Sequence, residues 1–269
     1  MTQWRTTRKV AVALALAAVV VSLIGATLQG VSTALERRRL ERPGRMVEVG
    51  EHQLHVHCTG AGAPTVVLEA PLGGLSASWE PVQARIAESS LVCSYDRSGL
   101  GWSETGDGPF TPERATAELR AALDAAGAAR PYLLVGREFG AALAGRFARR
   151  YPSDTAGLVL VDAPDATSEA PPTPSPWLAR LGVLRTVDWF LPPDPSPMAN
   201  QIVHAFGYRP DHLARTMSEA RAWRAVVSDA SGPKSFTHTN VRLSTSGGPS
   251  DPDVADRVVQ AVRTLSPAR

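Results

Sequence analysis

Residues 133–142, Leu133-Leu134-Val135-Gly136-Arg137-Glu138-Phe139-Gly140-Ala141-Ala142, decide how this chain folds. The apolar run before Gly136 reads as a strand buried on both faces. The small residues after it suit a helix that must lie close to that strand, and glycines at the first and fifth positions of the turn allow such an approach. Working outward, residues 64–70 (with Val66, Val67 and Leu68), 91–95 and 158–161 repeat the same buried-strand pattern. Helical spacing fills residues 76–87 and 111–126, the latter opened by Thr111, Pro112 and Glu113. Strands alternating with helices in this way predict a mostly parallel α/β sheet with helices on both faces.

The flanks differ in character. Residues 46–49 and 53–58 alternate around Gly50 and Glu51, which predicts an opening hairpin. After Asp165 the text turns proline-rich, with helical pieces expected at 177–190 and 212–227, then a strand at 241–244. A final helix is expected over 251–265, capped by Asp251 and Pro252, with Val254, Val258, Val259 and Val262 along one side. At the other end, Arg5, Arg8 and Lys9 precede an uncharged stretch from Val10 to Leu28, followed by Glu36, Arg37, Arg38 and Arg39. That length suits a bilayer span of about 20 residues better than the roughly 7–15 of a signal-peptide core. A transmembrane anchor and a signal cut near Ala26 or Ala34 both stay open, and basic flanks at each end leave the orientation open.

With 269 residues and 43% hydrophobic content there is material for one large core. A formal net charge of +2 with interspersed signs gives no basic face for nucleic acid, so no such partner is expected.

Three motifs carry a resemblance. Tyr95-Asp96-Arg97-Ser98-Gly99-Leu100-Gly101-Trp102-Ser103 follows a strand, Gly136-Arg137-Glu138-Phe139-Gly140 forms the strand-to-helix turn, and Leu158-Val159-Leu160-Val161-Asp162-Ala163 closes the series. In this order the chain resembles the α/β-hydrolase superfamily, and within it the members that carry an N-terminal membrane segment. The likeness runs from Pro43 to about Asp165 and returns weakly in the last helix.

The resemblance implies a serine nucleophile in a G-x-S-x-G turn, activated by a histidine and an acid. Gly136 and Gly140 keep the frame, but Glu138 stands at the nucleophile position and Arg137 before it. The family histidine belongs between the last strand and the last helix, where this chain offers only Gly247, Gly248, Pro249 and Ser250, so a strand and its histidine loop are expected to be missing. His238 precedes the strand at 241–244 and is expected at the wrong end of the sheet. His204 and His212 are expected to face solvent or pack in the insertion, and His52, His55 and His57 to belong to the hairpin, with no metal and no cofactor expected. Asp162 and Asp165 are the candidate acids, Asp162 being equally a loop-bracing carboxylate. Oxyanion donors are expected from Leu72, in a loop where Pro71 supplies no N–H, and from Phe139, the residue after the nucleophile position. The same fold would set Cys58 and Cys93 on neighbouring antiparallel strands, either as a disulfide, which would favour an extracytoplasmic domain, or as two buried thiols.

The expected organisation is a basic flank (1–9), a transmembrane helix or signal anchor (10–35), a linker (36–45), the N-terminal part of the core (46–168), a lid insert (169–239) and a C-terminal strand and helix (240–269). Three functional readings follow. One is a membrane-anchored pseudoenzyme, with a buried Glu138 that is ion-paired or shares a proton beside Arg137, and a small lipophilic ligand as its partner. The second is an active ester, epoxide or haloalkane hydrolase using Glu138 as nucleophile or base. The third is a decaying remnant that folds poorly.

Overall fold

The alternating segments around Gly50 form the expected hairpin, β1 (Arg45–Val49) pairing antiparallel with β2 (His52–Thr59) and Val49 lying opposite His52. The computed structural model describes residues 2–189, 198–230, 239–244 and 252–266. Among these, β3 (Thr65–Glu69), β4 (Val92–Tyr95), β5 (Tyr132–Arg137), β6 (Thr155–Val161) and β7 (Thr239–Leu243) complete a sheet of order β1-β2-β4-β3-β5-β6-β7. Every pair from β4 to β7 is parallel, whereas β2 meets β4 antiparallel. β7 is the sheet edge among the described residues, and the next described element after it is the last helix.

The sheet is covered on both faces, as its uninterrupted apolar strands require. One face packs α3 (Pro112–Ala125) and α4 (Phe139–Arg150) through Leu119, Leu123, Ala144 and Phe147. The other packs α2 (Glu80–Ile86), which continues a 3-10 turn over Ser76–Trp79, and the last helix through Val82, Ile86, Val254, Val258 and Val262. The Thr111 hydroxyl caps α3 by accepting from the Arg114 N–H.

Between β6 and β7 lies a helical insertion: α5 (Pro176–Arg180), α6 (Val183–Trp189), α7 (Met198–Gly207), α8 (Pro210–Arg221) and α9 (Trp223–Ala230), with α10 (Pro252–Leu265) following β7. The helical piece expected at 177–190 is in fact two, broken at Gly182 with φ of 72°, and its end at Phe190 lies outside the described residues. The piece expected at 212–227 is also two, broken at Ala222. Helix α7 lies between the two expected helical pieces, where the sequence assigns no element, and it is held by Ile202 and Phe206 against Leu75 and Leu100. The Asp251 cap, His238 and the interval from Gly247 to Ser250 lie outside the described residues.

Helix α1 (Thr2–Arg39) contains one segment, Arg8–Glu36, long and apolar enough to cross a membrane. Its contacts with the rest of the chain run along one stripe. Gly25 and Gln29 are buried and Ser22, Ser32 and Glu36 half-buried, whereas Val21, Leu23, Ile24, Leu28, Val31 and Leu35 are exposed. Small and polar residues face the protein, and apolar residues face outward. Backbone meets backbone at the closest point, where a Cβ on Gly25 would lie 2.0 Å from the Leu181 carbonyl oxygen and one on Gly182 2.4 Å from that of Gly25. Arg185 of α6 fixes the rest, binding Glu36 through both outer nitrogens (2.5 and 2.8 Å) and Gln29 through Nε (2.7 Å).

Candidate functional site

The turn after β5 has the tight geometry its glycines imply. A Cβ on Gly136 would sit 2.4 Å from the Gly140 carbonyl oxygen, and one on Gly140 2.3 Å from that of Glu69, so neither position admits a side chain. Between them Glu138 is held at φ 48° and ψ −117°, outside the regions an L-residue ordinarily occupies. Its N–H donates to the Val161 carbonyl at 2.9 Å, and its own carbonyl accepts from Ala141 and Ala142 at the start of α4. The sheet and the helix together hold this residue in its strained form.

The Glu138 side chain is half-buried, 40% exposed, where the pseudoenzyme reading expected a buried one. Its carboxylate lies 3.5 Å from Arg137 Nε, and the same nitrogen is 3.5 Å from Asp162 Oδ2. These are ion-pair distances, too long for strong hydrogen bonds. Asp162 has a positive φ of 47°, and its N–H donates to the Leu243 carbonyl at 2.8 Å, which ties the end of β6 to the end of β7. Arg137 thus stands between the two carboxylates expected to be catalytic. Asp165 is spent locally, accepting from the Thr167 N–H (2.9 Å) and from the Thr167 and Ser168 hydroxyls, which hold its carboxyl below the usual range.

Leu72 and Phe139, expected as oxyanion donors, contribute side chains to one apolar cluster with Phe110, Leu143, Trp223 and Val226. Trp223 stacks on Phe139 with ring centroids 5.7 Å apart. The insertion therefore packs directly on the turn and on the loop facing it.

That loop is braced by a buried ionic cluster. Arg97 donates from Nη1 to Glu69 Oε1 (2.8 Å) and to the Ala70 carbonyl (2.8 Å), and from Nη2 to the Pro71 carbonyl (2.7 Å). Its Nε and Nη2 grip Glu219 of α8 at 2.6 and 3.0 Å, and Glu219 also accepts from the Gly73 N–H at 2.9 Å. Tyr95 donates to Glu69 at 2.5 Å. Burial pushes the Glu69 carboxyl up, against the pull of Arg97. Arg97, which burial alone would lower, is held protonated by Glu219 and Glu69.

Four of the described histidines have partners other than Glu138, and the fifth, His57, lies in the hairpin strand β2, where burial lowers its pKa. His212 Nε2 faces the Gly73 carbonyl at 3.0 Å, and burial lowers its pKa. His204 contacts Tyr208, and His52 lies 3.5 Å from Glu118. The fully buried His55 contacts Asp96 (3.0 Å) and the Pro43 carbonyl, while Ser76 Oγ is 3.4 Å from the same His55 Nδ1. Ser76, His55 and Asp96 have the composition of a catalytic triad, but serine and aspartate compete for one ring nitrogen and all three are buried, so no proton relay to a substrate is built there. Burial would raise the Asp96 carboxyl, yet His55 and the Ser76 and Trp102 N–H groups outweigh it and hold it below the usual range. Among the described residues no group of three His, Cys, Asp or Glu could hold a metal ion. Cys58 and Cys93 lie directly opposite each other in the β2/β4 register, with Cα atoms 4.1 Å apart and their sulfurs bonded.

The model of the alpha/beta hydrolase family matches residues 53–265. The chain belongs to the alpha/beta hydrolase family. It is 35% identical to the uncharacterized protein YqjL of Bacillus subtilis over 106 residues, 39% of this chain and 42% of that protein. It is 34% identical to a 2-hydroxy-6-oxo-2,4-heptadienoate hydrolase of Pseudomonas putida over 123 residues, 45% of this chain and 44% of that enzyme. The chain thus spans less than half the length of these curated relatives. A solved bacterial membrane phospholipase A shares the fold at a TM-score of 0.58 and 17% identity, over 97% of this chain and 98% of that one.

One participant escaped the sequence reading. Glu219 is the acid that ties the insertion to the Gly73 loop, yet it lies 122 residues from Arg97 in an unremarkable helix, and no local pattern distinguishes it.

Proposed function

We propose that this family member is a membrane-anchored pseudoenzyme that has lost the serine-hydrolase reaction of its fold. The observation that carries this is Glu138 in the nucleophile turn, its carboxylate paired with Arg137 and no described histidine among its partners. A carboxylate at this position cannot form the acyl ester that serine forms, and without an imidazole an ester intermediate would have no base to activate water. Purified full-length protein is expected to hydrolyse short-chain p-nitrophenyl esters no faster than buffer. Saturable hydrolysis abolished by Glu138→Ala would overturn the proposal.

The second reading, Glu138 as nucleophile toward an epoxide or haloalkane, draws support from the retained strain, since a distorted backbone often marks a working residue. Turnover in oxygen-18 water followed by peptide mass spectrometry tests it. Label in the Glu138 peptide supports a covalent ester, and its absence dismisses one.

The anchor is favoured over a cleaved signal because α1 is joined to the insertion through Gly25, Gln29 and Glu36, which lie on either side of a cut at Ala26 or at Ala34. Its polarity also suits lipid, with apolar side chains outside and small or polar ones inside, the pattern of membrane helix packing. The Cys58–Cys93 bond supports an extracytoplasmic domain, since disulfides persist in oxidising compartments. We assign residues 169–239 the role of a lid over the Glu138 turn, with a small lipophilic molecule as the ligand class.

A further inference from the structure

We infer that the turn of α5 into α6 is a second membrane-contacting element, seated at the bilayer surface beside α1, so that the insertion is held against lipid and not merely tethered near it. This rests on the reading of α1 as a membrane anchor. Four large apolar side chains stand exposed on this short segment: Trp177 at 68%, Leu178 at 43%, and Leu181 and Val183 at 39% each. Apart from α1 itself, these are the large hydrophobic residues most open to solvent among the described ones. Such a patch on a water-facing surface is costly, and its continuity with the apolar outer face of α1 names what covers it.

Depth fixes the assignment. Within the uncharged stretch from Val10 to Leu35, the most apolar run goes from Val10 to Leu28, where Gln29 ends it, and measures about 28 Å at ~1.5 Å per residue, close to the ~30 Å hydrocarbon core of a bilayer. Gly25 lies three positions before the end of that run, hence about 4–5 Å inside the hydrocarbon boundary for an upright helix. The Leu181 carbonyl and Gly182 are in backbone contact with Gly25, so the α5–α6 turn must sit at that same boundary whenever α1 spans. Trp177, one helical turn earlier on α5, lies within about 5–6 Å of that boundary, and tryptophan is enriched at membrane interfaces. The Arg180 guanidinium lies 4.9 Å over the Trp177 ring and is itself exposed, a cation suited to phosphate headgroups. Ala179, fully buried, keeps the opposite side of α5 on the protein. The arrangement is that of an interfacial element with its apolar face in the headgroup and acyl boundary.

The test uses the full chain reconstituted in phosphatidylcholine vesicles, with and without bromine on the acyl chains near the headgroup. Brominated lipid should quench a component of the tryptophan emission that Trp177→Phe removes and that Leu178→Trp, added to Trp177→Phe, restores. Equal bromolipid quenching in wild type and Trp177→Phe, with Trp177 instead quenched by aqueous acrylamide, would overturn the inference. An alkaline carbonate wash separates the two layers of the argument. Protein that stays with the vesicles while Trp177 remains in water defeats the interfacial seat and leaves the anchor standing, whereas protein that washes off defeats the anchor and the seat together.

Discussion

Glutamine at position 219 removes one charge from the core and changes little in size, yet its effect should be large. The Glu219 carboxylate accepts three hydrogen bonds, from Arg97 Nε at 2.6 Å, Arg97 Nη2 at 3.0 Å and the Gly73 N–H at 2.9 Å, and its side chain is fully buried. An amide offers one acceptor oxygen and turns two N–H donors toward the other side, so whichever way it is flipped a donor faces a donor. A buried donor left unsatisfied costs about 1–3 kcal/mol, and breaking a buried ion pair by altering one partner costs about 3–5 kcal/mol. Taking about 3 kcal/mol, and about 2–4 °C per kcal/mol for a chain of this size, Glu219→Gln should melt roughly 6–12 °C below wild type. Circular dichroism of the detergent-solubilised full chain, scanned at neutral pH, reads this directly. An opposing effect acts within the same cluster: Glu69 and Glu219 share a single arginine, and relieving one buried negative charge would offset part of the loss. A shift within about 1 °C would mean that relief cancels the lost bonds and that the cluster does not brace the Gly73 loop as argued.

Three further outcomes are expected. Reducing the Cys58–Cys93 bond, or replacing both residues by serine, opens a link across 35 residues, and chain entropy sets the loss at about 4 kcal/mol, readable as a lower denaturant midpoint. Glu138→Gly should raise thermal stability by about 1 kcal/mol, because glycine accepts the positive φ without strain, and an unchanged or lower melting temperature would refute the strain assigned to the turn. The Asp96 carboxyl is held below its unfolded value of about 3.9, so its contribution is complete above that pH and is lost as the pH falls through the folded pKa. Asp96→Asn should therefore lower stability at neutral pH and flatten the acid limb of the melting temperature plotted against pH. Glu69, raised by burial, has the opposite sign and gains as the pH falls.

The sheet was legible because its signals are local. Each buried strand announces itself by three or four consecutive apolar residues, and Gly136 and Gly140 mark the one place where helix and strand almost touch. The insertion was legible only in outline. Gly182 breaks a helix that apolar spacing alone would continue, and α7 forms because Ile202 and Phe206 find Leu75 and Leu100, residues more than a hundred positions away. Tertiary partners decide such helices, not propensity. The same holds at the site. The Glu138 turn could be read from five residues, whereas the bond between Glu219 and Arg97 joins two segments that nothing in the sequence relates. The sequence leaves Asp162 as an acid or a brace, and only the fold brings its carboxylate within 3.5 Å of Arg137 and its N–H onto the Leu243 carbonyl.

The stripe of Ser22, Gly25, Gln29, Ser32 and Glu36 recurs at spacings of three and four, so one side of α1 is written in a different alphabet from the rest. A generic tether tolerates any apolar replacement, but this helix should not. On the proposed anchor reading, exchanging it for an unrelated span of equal length would keep the protein in the membrane while leaving Arg185 without its counter-ion and the insertion without its backbone contact at Gly182. On that reading address and architecture are encoded in one helix, by different residues on opposite sides of a single cylinder.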